Sequence, residues 1–156
     1  MRPVSSEGLN RETDEEVYFY TPLFQPLNNF SAHVVDLWGV SFPTAEHAFH
    51  WQKYCQVRSD IAEEILQAKS PLEAKEIAIK NKDSRSPGWP DQKLAVMEEI
   101  LRAKFEQHPE VSATLQRTGK RKIIENSPSD SFWGIGSNKD GENNLGKIWM
   151  KIRDSQ

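Results

Sequence analysis

The segment Pro43-Thr44-Ala45-Glu46-His47-Ala48-Phe49-His50-Trp51-Gln52-Lys53-Tyr54 gathers a carboxylate, two imidazoles and an amine within a few helical turns. At about 100° per residue, Glu46 and Lys53 return to nearly the same face, with Phe49 or His50 between them. On an exposed surface they would form an ordinary weak ion pair. On the wall of a cleft, a carboxylate and an amine can exchange protons or form a covalent adduct. His47 and His50 stand in the order Glu-His-x-x-His, with no third ligand in view, which is a poor zinc signature. No metal and no cofactor are therefore expected, and the two histidines read as satisfied core or cleft groups, or as side chains that stack on or hydrogen-bond a ligand.

A second group of candidates lies in Asp130-Ser131-Phe132-Trp133-Gly134-Ile135-Gly136 and, after a further glycine, Asn143-Asn144-Leu145-Gly146. Glycines let backbone N–H groups approach a phosphate, and an indole offers a stacking face, so the combination suits a nucleotide-like ligand. The same residues would also build a tight turn beside a buried tryptophan. Trp89, in Pro-Gly-Trp-Pro, carries the same two readings, and Lys82 and Arg85 before it either hold an anion or face water.

These residues must be positioned by elements that the sequence marks unevenly. Val17–Tyr20 is a short β-prone run, and Val34 to Phe42 around Trp38-Gly39 reads as a hairpin. Thr44 caps a helix to about Cys55, and Ile61, Ile65 and Leu66 stripe a second. Ser70-Pro71-Leu72-Glu73 combines a capping box with proline at the first helical position and opens a third helix to about Lys80. Asn81 to Pro90 is an ordered loop, after which Leu94, Met97, Leu101 and Phe105 mark the apolar stripe of a long helix. Pro109 starts another helix, Ile123-Ile124 suggests a strand, Asn126 to Asn143 is a long loop, and Leu145 to about Ile152 closes the chain with a helix. The expected fold is mainly α, a single multi-helical domain over 17–156 with a small antiparallel β element, preceded by a mobile acidic tail at 1–16. A loop as long as 126–143 in so small a domain is more often functional than idle.

The 156 residues suit one domain; 37% are hydrophobic and 28% charged, which argues against both disorder and a membrane protein. No apolar run of about 18 residues occurs, and the N-terminus lacks the order of a signal peptide, so a cytoplasmic location is expected. Cys55 stands alone, which excludes an internal disulfide framework. Lys and Arg number 20 against 23 Asp and Glu, for a net charge of −3, and this speaks against sequence-blind binding to a nucleic-acid backbone. A local basic run, Arg117 to Lys122, either meets phosphates or forms a solvated turn.

Phe19-Tyr20, Asn29-Phe30, Pro43-Thr44-Ala45-Glu46-His47 with Gln52-Lys53, Leu101 to His108, Phe132-Trp133-Gly134-x-Gly136 and Asn144-Leu145-Gly146 occur together and in this order. The set resembles the YbiA-like N-glycosidase family, or NADAR, over about Val17 to Arg153. The resemblance implies a mainly helical fold and hydrolysis of the C1′–N bond of a ribosylated heterocycle bearing phosphate. Two substrate classes go with it: ADP-ribose on guanine in nucleic acid, the reading favoured here, and phosphoribosylamino-pyrimidine intermediates of riboflavin synthesis. A non-catalytic ADP-ribose-binding module is the alternative of another class. Carried over position by position, the catalytic residues implied are Glu46, Lys53 and Asp130. Phe19, Asn29, His47, His50, Lys82, Arg85, Trp89, Trp133, Gly134, Gly136 and Asn144 are then expected at the substrate, with an ADP-ribosyl or phosphoribosyl compound, or ADP-ribosylated DNA or RNA, as partner. Asn28-Asn29-Phe30 stands where Phe-Ser-Asn-Phe is common in the family, and His50 where glutamine is frequent.

Overall fold

The computed structural model describes residues 10–20 and 25–156. In chain order the strands are β1 (Arg11–Glu12), β2 (Glu16–Phe19), β3 (Val35–Leu37), β4 (Val40–Phe42) and β5 (Lys122–Glu125). The helices are α1 (Ala45–Gln52), α2 (Ser59–Leu66), α3 (Pro71–Lys80), α4 (Trp89–Gln107), α5 (Pro109–Arg117) and α6 (Asn144–Asp154). The fold is thus mainly α with small sheet elements. The single domain expected from length divides into two compact units, one of Asn29–His108 and one formed by the chain before and after it.

In the Asn29–His108 unit, β3 and β4 pair antiparallel in the register Val35↔Phe42 and Leu37↔Val40. Their two-residue turn places Trp38 (φ 54°) and Gly39 (φ 74°) in left-handed backbone, as the tight hairpin twist requires. Trp38 then stacks on Trp51 of α1 at 6.0 Å between centroids, which ties the hairpin to the helix. Helices α1 to α3 close around Tyr54, Ile61, Ala62, Ile65, Ala68, Ala74 and Ala78, and the Tyr54 hydroxyl donates to the Ala78 carbonyl at 2.7 Å. Ser70 caps α3, its Oγ accepting from Glu73 N at 3.0 Å, while the Glu73 carboxylate accepts from Lys69 N at 2.9 Å. The first bond is the one a capping box signals, whereas the reciprocal one falls on Lys69 N, one residue before the N-cap, rather than on Ser70 N.

The apolar stripe of α4 differs from expectation. Leu94 is 45% exposed, whereas Val96, Met97, Ile100, Leu101, Ala103 and Lys104 are buried. The buried face is rotated towards the 96–100–104 row, so Leu94 falls on its edge.

In the other unit β1 pairs antiparallel with β2, and β2 pairs parallel with β5 in the register Val17↔Ile123 and Tyr18↔Ile124. The sheet is therefore mixed. Residues 10–16, expected in a tail, belong to it, because Arg11 pairs with Tyr18 and Thr13 Oγ1 accepts from Glu16 N at 2.9 Å to turn the chain. The rest of the expected tail, 1–9, lies outside the described residues. Val17, Phe19 and Ile123 are fully buried, and Trp149 of α6 donates from Nε1 to the Leu27 carbonyl at 3.0 Å. Gly146 lets α6 approach β5, since a Cβ there would collide with the Ile123 carbonyl oxygen and the Asn143 amide. Arg121 of the basic run is held in place, donating to Glu12, Thr13, Arg117 and Thr118. No helix among the described residues is long and apolar enough to cross a membrane.

Candidate active site

Helix α1 begins where two independent caps meet. Thr44 Oγ1 accepts from His47 N at 3.2 Å, and the Asn29 carbonyl accepts from Glu46 N at 3.1 Å. Both satisfy N–H groups that an isolated helix leaves free. His47, expected at the substrate, is committed to this cap instead. It is 1% exposed, with Nδ1 at 2.8 Å from Thr44 Oγ1 and Nε2 at 3.0 Å from the Ala68 carbonyl, so neither ring nitrogen is left for a ligand.

The next turn holds the chemistry. Glu46 and His50 are both buried, and His50 Nε2 lies 2.7 Å from Glu46 Oε1. Burial pushes the Glu46 carboxyl up, but its coupling to His50, Coulombic and through the hydrogen bond, and the nearby charges of Lys75 and Lys53 outweigh this and hold it low. Burial pushes His50 down, with Lys53 and Lys75 adding to it against the pull of Glu46. The pair is therefore carboxylate and neutral imidazole. The hydrogen bond assigns the imidazole proton to Nε2, which leaves Nδ1 as an acceptor. That Nδ1 is buried and has no hydrogen-bond partner, and neither has Asn29 Oδ1. Buried polar atoms without partners are rare, and in a cleft they mark where a ligand makes the missing bonds.

Lys53 closes α1 and does not touch the carboxylate directly; the contact that the helical spacing suggested for it is taken by His50, one turn nearer. Its Nζ lies 5.0 Å from the centroid of Phe49 and 5.7 Å from that of Trp89. Burial lowers its pKa from 10.5 to about 8, opposed by Glu46 and reinforced by Arg85, Lys93 and Lys82. The segment carrying Lys82 and Arg85 is pinned to the helix end, because Ser86 N donates to the Lys53 carbonyl at 2.8 Å. Trp89, 2% exposed at the start of α4, packs edge-on to Phe49 at 5.0 Å and so acts as a wall that keeps water from Lys53. One unit thus assembles Glu46, His50, Lys53, Trp89, Lys82, Arg85 and Asn29.

The remaining candidates belong to the other unit and form their own constellation. Asp130 Oδ1 accepts from Phe132 N at 2.9 Å and from Trp133 N at 2.8 Å, so one carboxylate oxygen builds the turn that presents the half-buried Trp133. Gly134 and Gly136 are needed sterically: a Cβ at Gly134 would sit 2.7 Å from the Glu125 carbonyl oxygen, and Gly136 has φ 70°. Asn144 opens α6 and donates from Nδ2 to the Phe132 carbonyl at 3.0 Å, closing the same loop. Phe19, expected near the ligand, is fully buried in β2 and serves the sheet's core.

Sequence reasoning missed Lys104, which is fully buried and donates to Ser31 Oγ at 2.7 Å. The available signal was its position seven residues after Met97, on the buried side of α4. Among the described residues no group of three His, Cys, Asp or Glu side chains is placed to hold a metal ion.

The chain is similar to known proteins in sequence and in fold. The sequence matches the NADAR domain family over residues 11–155. It is 34% identical over 143 residues to N-glycosidase YbiA of Shigella boydii serotype 4 (strain Sb227), covering 90% of this chain and 88% of that one. It is 32% identical over 143 residues to riboflavin biosynthesis protein VVA0006 of Vibrio vulnificus (strain YJ016), covering 90% of this chain and 38% of that protein. The NMR structure of the E. coli protein YbiA superposes with a TM-score of 0.82 at 32% identity, over 96% of this chain and 89% of that one. With the family matched across nearly its whole length, and with a relative of the same extent at this identity, the chain belongs to the NADAR domain family.

Proposed function

We propose that this NADAR-family N-glycosidase removes ADP-ribose from guanine bases in nucleic acid. The observation that carries the reading is the pairing of the buried Glu46–His50 dyad with an amine whose pKa is lowered to about 8, among three further cations that act on it, Arg85, Lys93 and Lys82. Breaking a C1′–N bond builds positive charge on the sugar, which a preformed carboxylate stabilises. The cations suit a diphosphate better than a single phosphate.

In the proposed reaction, Lys53 Nζ attacks C1′ in its neutral form while the electrons of the C1′–N bond pass to the base. A proton released from Nζ passes by way of solvent to the departing nitrogen. The ring C–O bond then opens, the second Nζ proton ends on the ring oxygen, and a Schiff base remains. Water adds to it, releasing the sugar and free Lys53. Glu46 faces the developing charge at C1′, and His50 holds Glu46 and meets the substrate through Nδ1.

A second reading has its own support, since relatives named as riboflavin biosynthesis proteins contain a segment like this chain. On that reading the substrate is a phosphoribosylamino-pyrimidine. Mass-spectrometric base release separates the two. The protein is offered ADP-ribosylguanine in DNA and, separately, the pyrimidine intermediate, each with Glu46→Gln alongside. Release of guanine, lost in the variant, is the expected result. Release of pyrimidine alone would transfer the protein to flavin metabolism, and tight ADP-ribose binding with no release of either base would make it a reader module.

A further inference from the structure

The unit that contains the mixed sheet holds a cavity of about 370 Å³ with a basic lining. Arg11 of β1, Lys122 of β5, Lys139 of the long loop and Lys147 of α6 all line it. These four cations come from four separate segments, all are exposed, and none is ion-paired among the described residues. Glu16 and Glu142 are the carboxylates in the wall, so the lining carries four positive against two negative charges, in a chain whose net charge is −3. Glu16 is partly occupied, accepting from the Tyr18 hydroxyl at 2.9 Å. Arg11 lies over the Tyr18 ring, 4.1 Å from its centroid, a contact that holds the guanidinium in place without a carboxylate partner.

The backbone around the cavity is also under constraint. Lys139 (φ 60°) and Asn143 (φ 54°), both in its wall, are non-glycine residues in left-handed conformation. Such geometry is strained for a residue with a side chain and gathers at functional sites. At Asn143 it is held by the side chain, which accepts from Glu125 N and donates to the Ile123 carbonyl, both at 2.9 Å. Lys139 has no such side-chain tether, yet its strained backbone delivers an unpaired ammonium to the same wall.

We propose that this cavity is a second binding site, for a phosphorylated ligand that also carries hydroxyl or amine donors, as a nucleotide does. The unpaired cations take the phosphate, with Arg11 fixed for directional bonding, and Glu142 accepts from a hydroxyl or amine. The volume lies within the range of about 300–1,000 Å³ typical of small-ligand pockets. The phosphate can come from a free nucleotide or from a nucleotide within a strand, and the chemistry is common to both.

The test is a titration of the full chain followed by amide ¹H–¹⁵N shifts, using 5′-AMP, adenosine and a single-stranded hexanucleotide. AMP is expected to move the amides of Lys122, Ile124, Ile135 and Lys147, adenosine is not, and added salt weakens the response. The Lys122→Gln/Lys147→Gln double variant, which alters exposed side chains only, should weaken AMP binding about tenfold or more. A hexanucleotide that binds these amides more tightly than AMP assigns the phosphate to a strand; the opposite order assigns it to a free nucleotide. The proposal is overturned if AMP leaves these amides unmoved, if adenosine moves them equally, or if the double variant binds AMP unchanged. Shifts confined to the Glu46–Lys53 helix would also overturn it and would leave the glycosidase reading standing.

Discussion

His50 Nε2 meets Glu46 Oε1 at 2.7 Å across one turn of α1, with both side chains buried and the second imidazole nitrogen unpartnered. The dyad fixes a carboxylate in its charged form inside the protein, which water would otherwise have to do. Its two members should therefore fail differently when replaced.

Glu46→Gln keeps the size and one hydrogen-bond acceptor but removes the charge proposed to face C1′. Base release should fall about 100-fold or more, within the range of lost charge-stabilising and acid–base groups, while ADP-ribose binding stays within a few-fold. Calorimetry and single-turnover kinetics on one preparation check this. Loss of binding in parallel with turnover would show that Glu46 only shapes the pocket.

At His50 the substitution to glutamine retains a donor for Glu46 and an acceptor besides, so turnover should stay within about tenfold of the unaltered protein while the preference between the two substrates changes. His50→Ala leaves Glu46 buried without that donor, and breaking a buried pair in this way costs about 3 kcal/mol or more. Thermal unfolding of both variants, alongside kcat/KM for each substrate, separates the two effects.

Asp130 builds a turn, and the catalytic role proposed for it can be separated from that by substitution. Asp130→Asn can still accept from Phe132 N and Trp133 N, so the turn survives, but the charge is gone. Its melting temperature should hold while base release drops at least about 100-fold. Asp130→Ala should lose about 1 kcal/mol of stability as well, as when other side-chain acceptors of backbone N–H groups are removed. An Asp130→Asn enzyme with full activity would leave Asp130 as a turn former only.

The difference between these residues explains what the sequence could disclose. Thr44, Ser70 and the Trp38-Gly39 turn act through neighbours within four residues, and their chemistry is readable locally. Glu46 and Lys53 were legible as a carboxylate and an amine on one helix, but His50 as the carboxylate's partner depended on which of the intervening side chains the core would bury. The β2–β5 pairing joins residues more than 100 positions apart, and no periodicity signals a parallel partner at that distance. Lys104 shows two signals in conflict: its spacing from Met97 placed it inwards, its charge outwards, and Ser31, far away in sequence, decided the matter by offering a hydrogen bond. Phe19 sits in the core and His47 in the helix cap, places a motif does not disclose, because it records which residues recur together without distinguishing those that touch substrate from those that hold the fold.

Lys53 gives the prediction with the sharpest sign. With a pKa near 8, about one-tenth of its side chains are neutral at pH 7 and about half at pH 8, so a reaction begun by attack of the neutral amine should accelerate about fivefold over that interval and level off near pH 9. Glu46 and His50, both held low, do not titrate across this range, and the rise belongs to the amine. Borohydride added during turnover should trap a protein–sugar adduct whose yield follows the same curve, and Lys53→Met should abolish it. Stability runs in a related direction. Below pH 8 the folded protein buries a charged amine that the unfolded chain would solvate, so the penalty is greatest there and is relieved between pH 8 and 10.5. Lys53→Met, similar in length and uncharged, should therefore melt higher than the unaltered protein at pH 7, by roughly 2–4 °C for each kcal/mol recovered, and the gap should narrow towards pH 10. An inactive variant that is also less stable at pH 7 would mean that the ammonium is held by favourable contacts after all, and that Lys53 acts on the substrate as a cation rather than as a nucleophile.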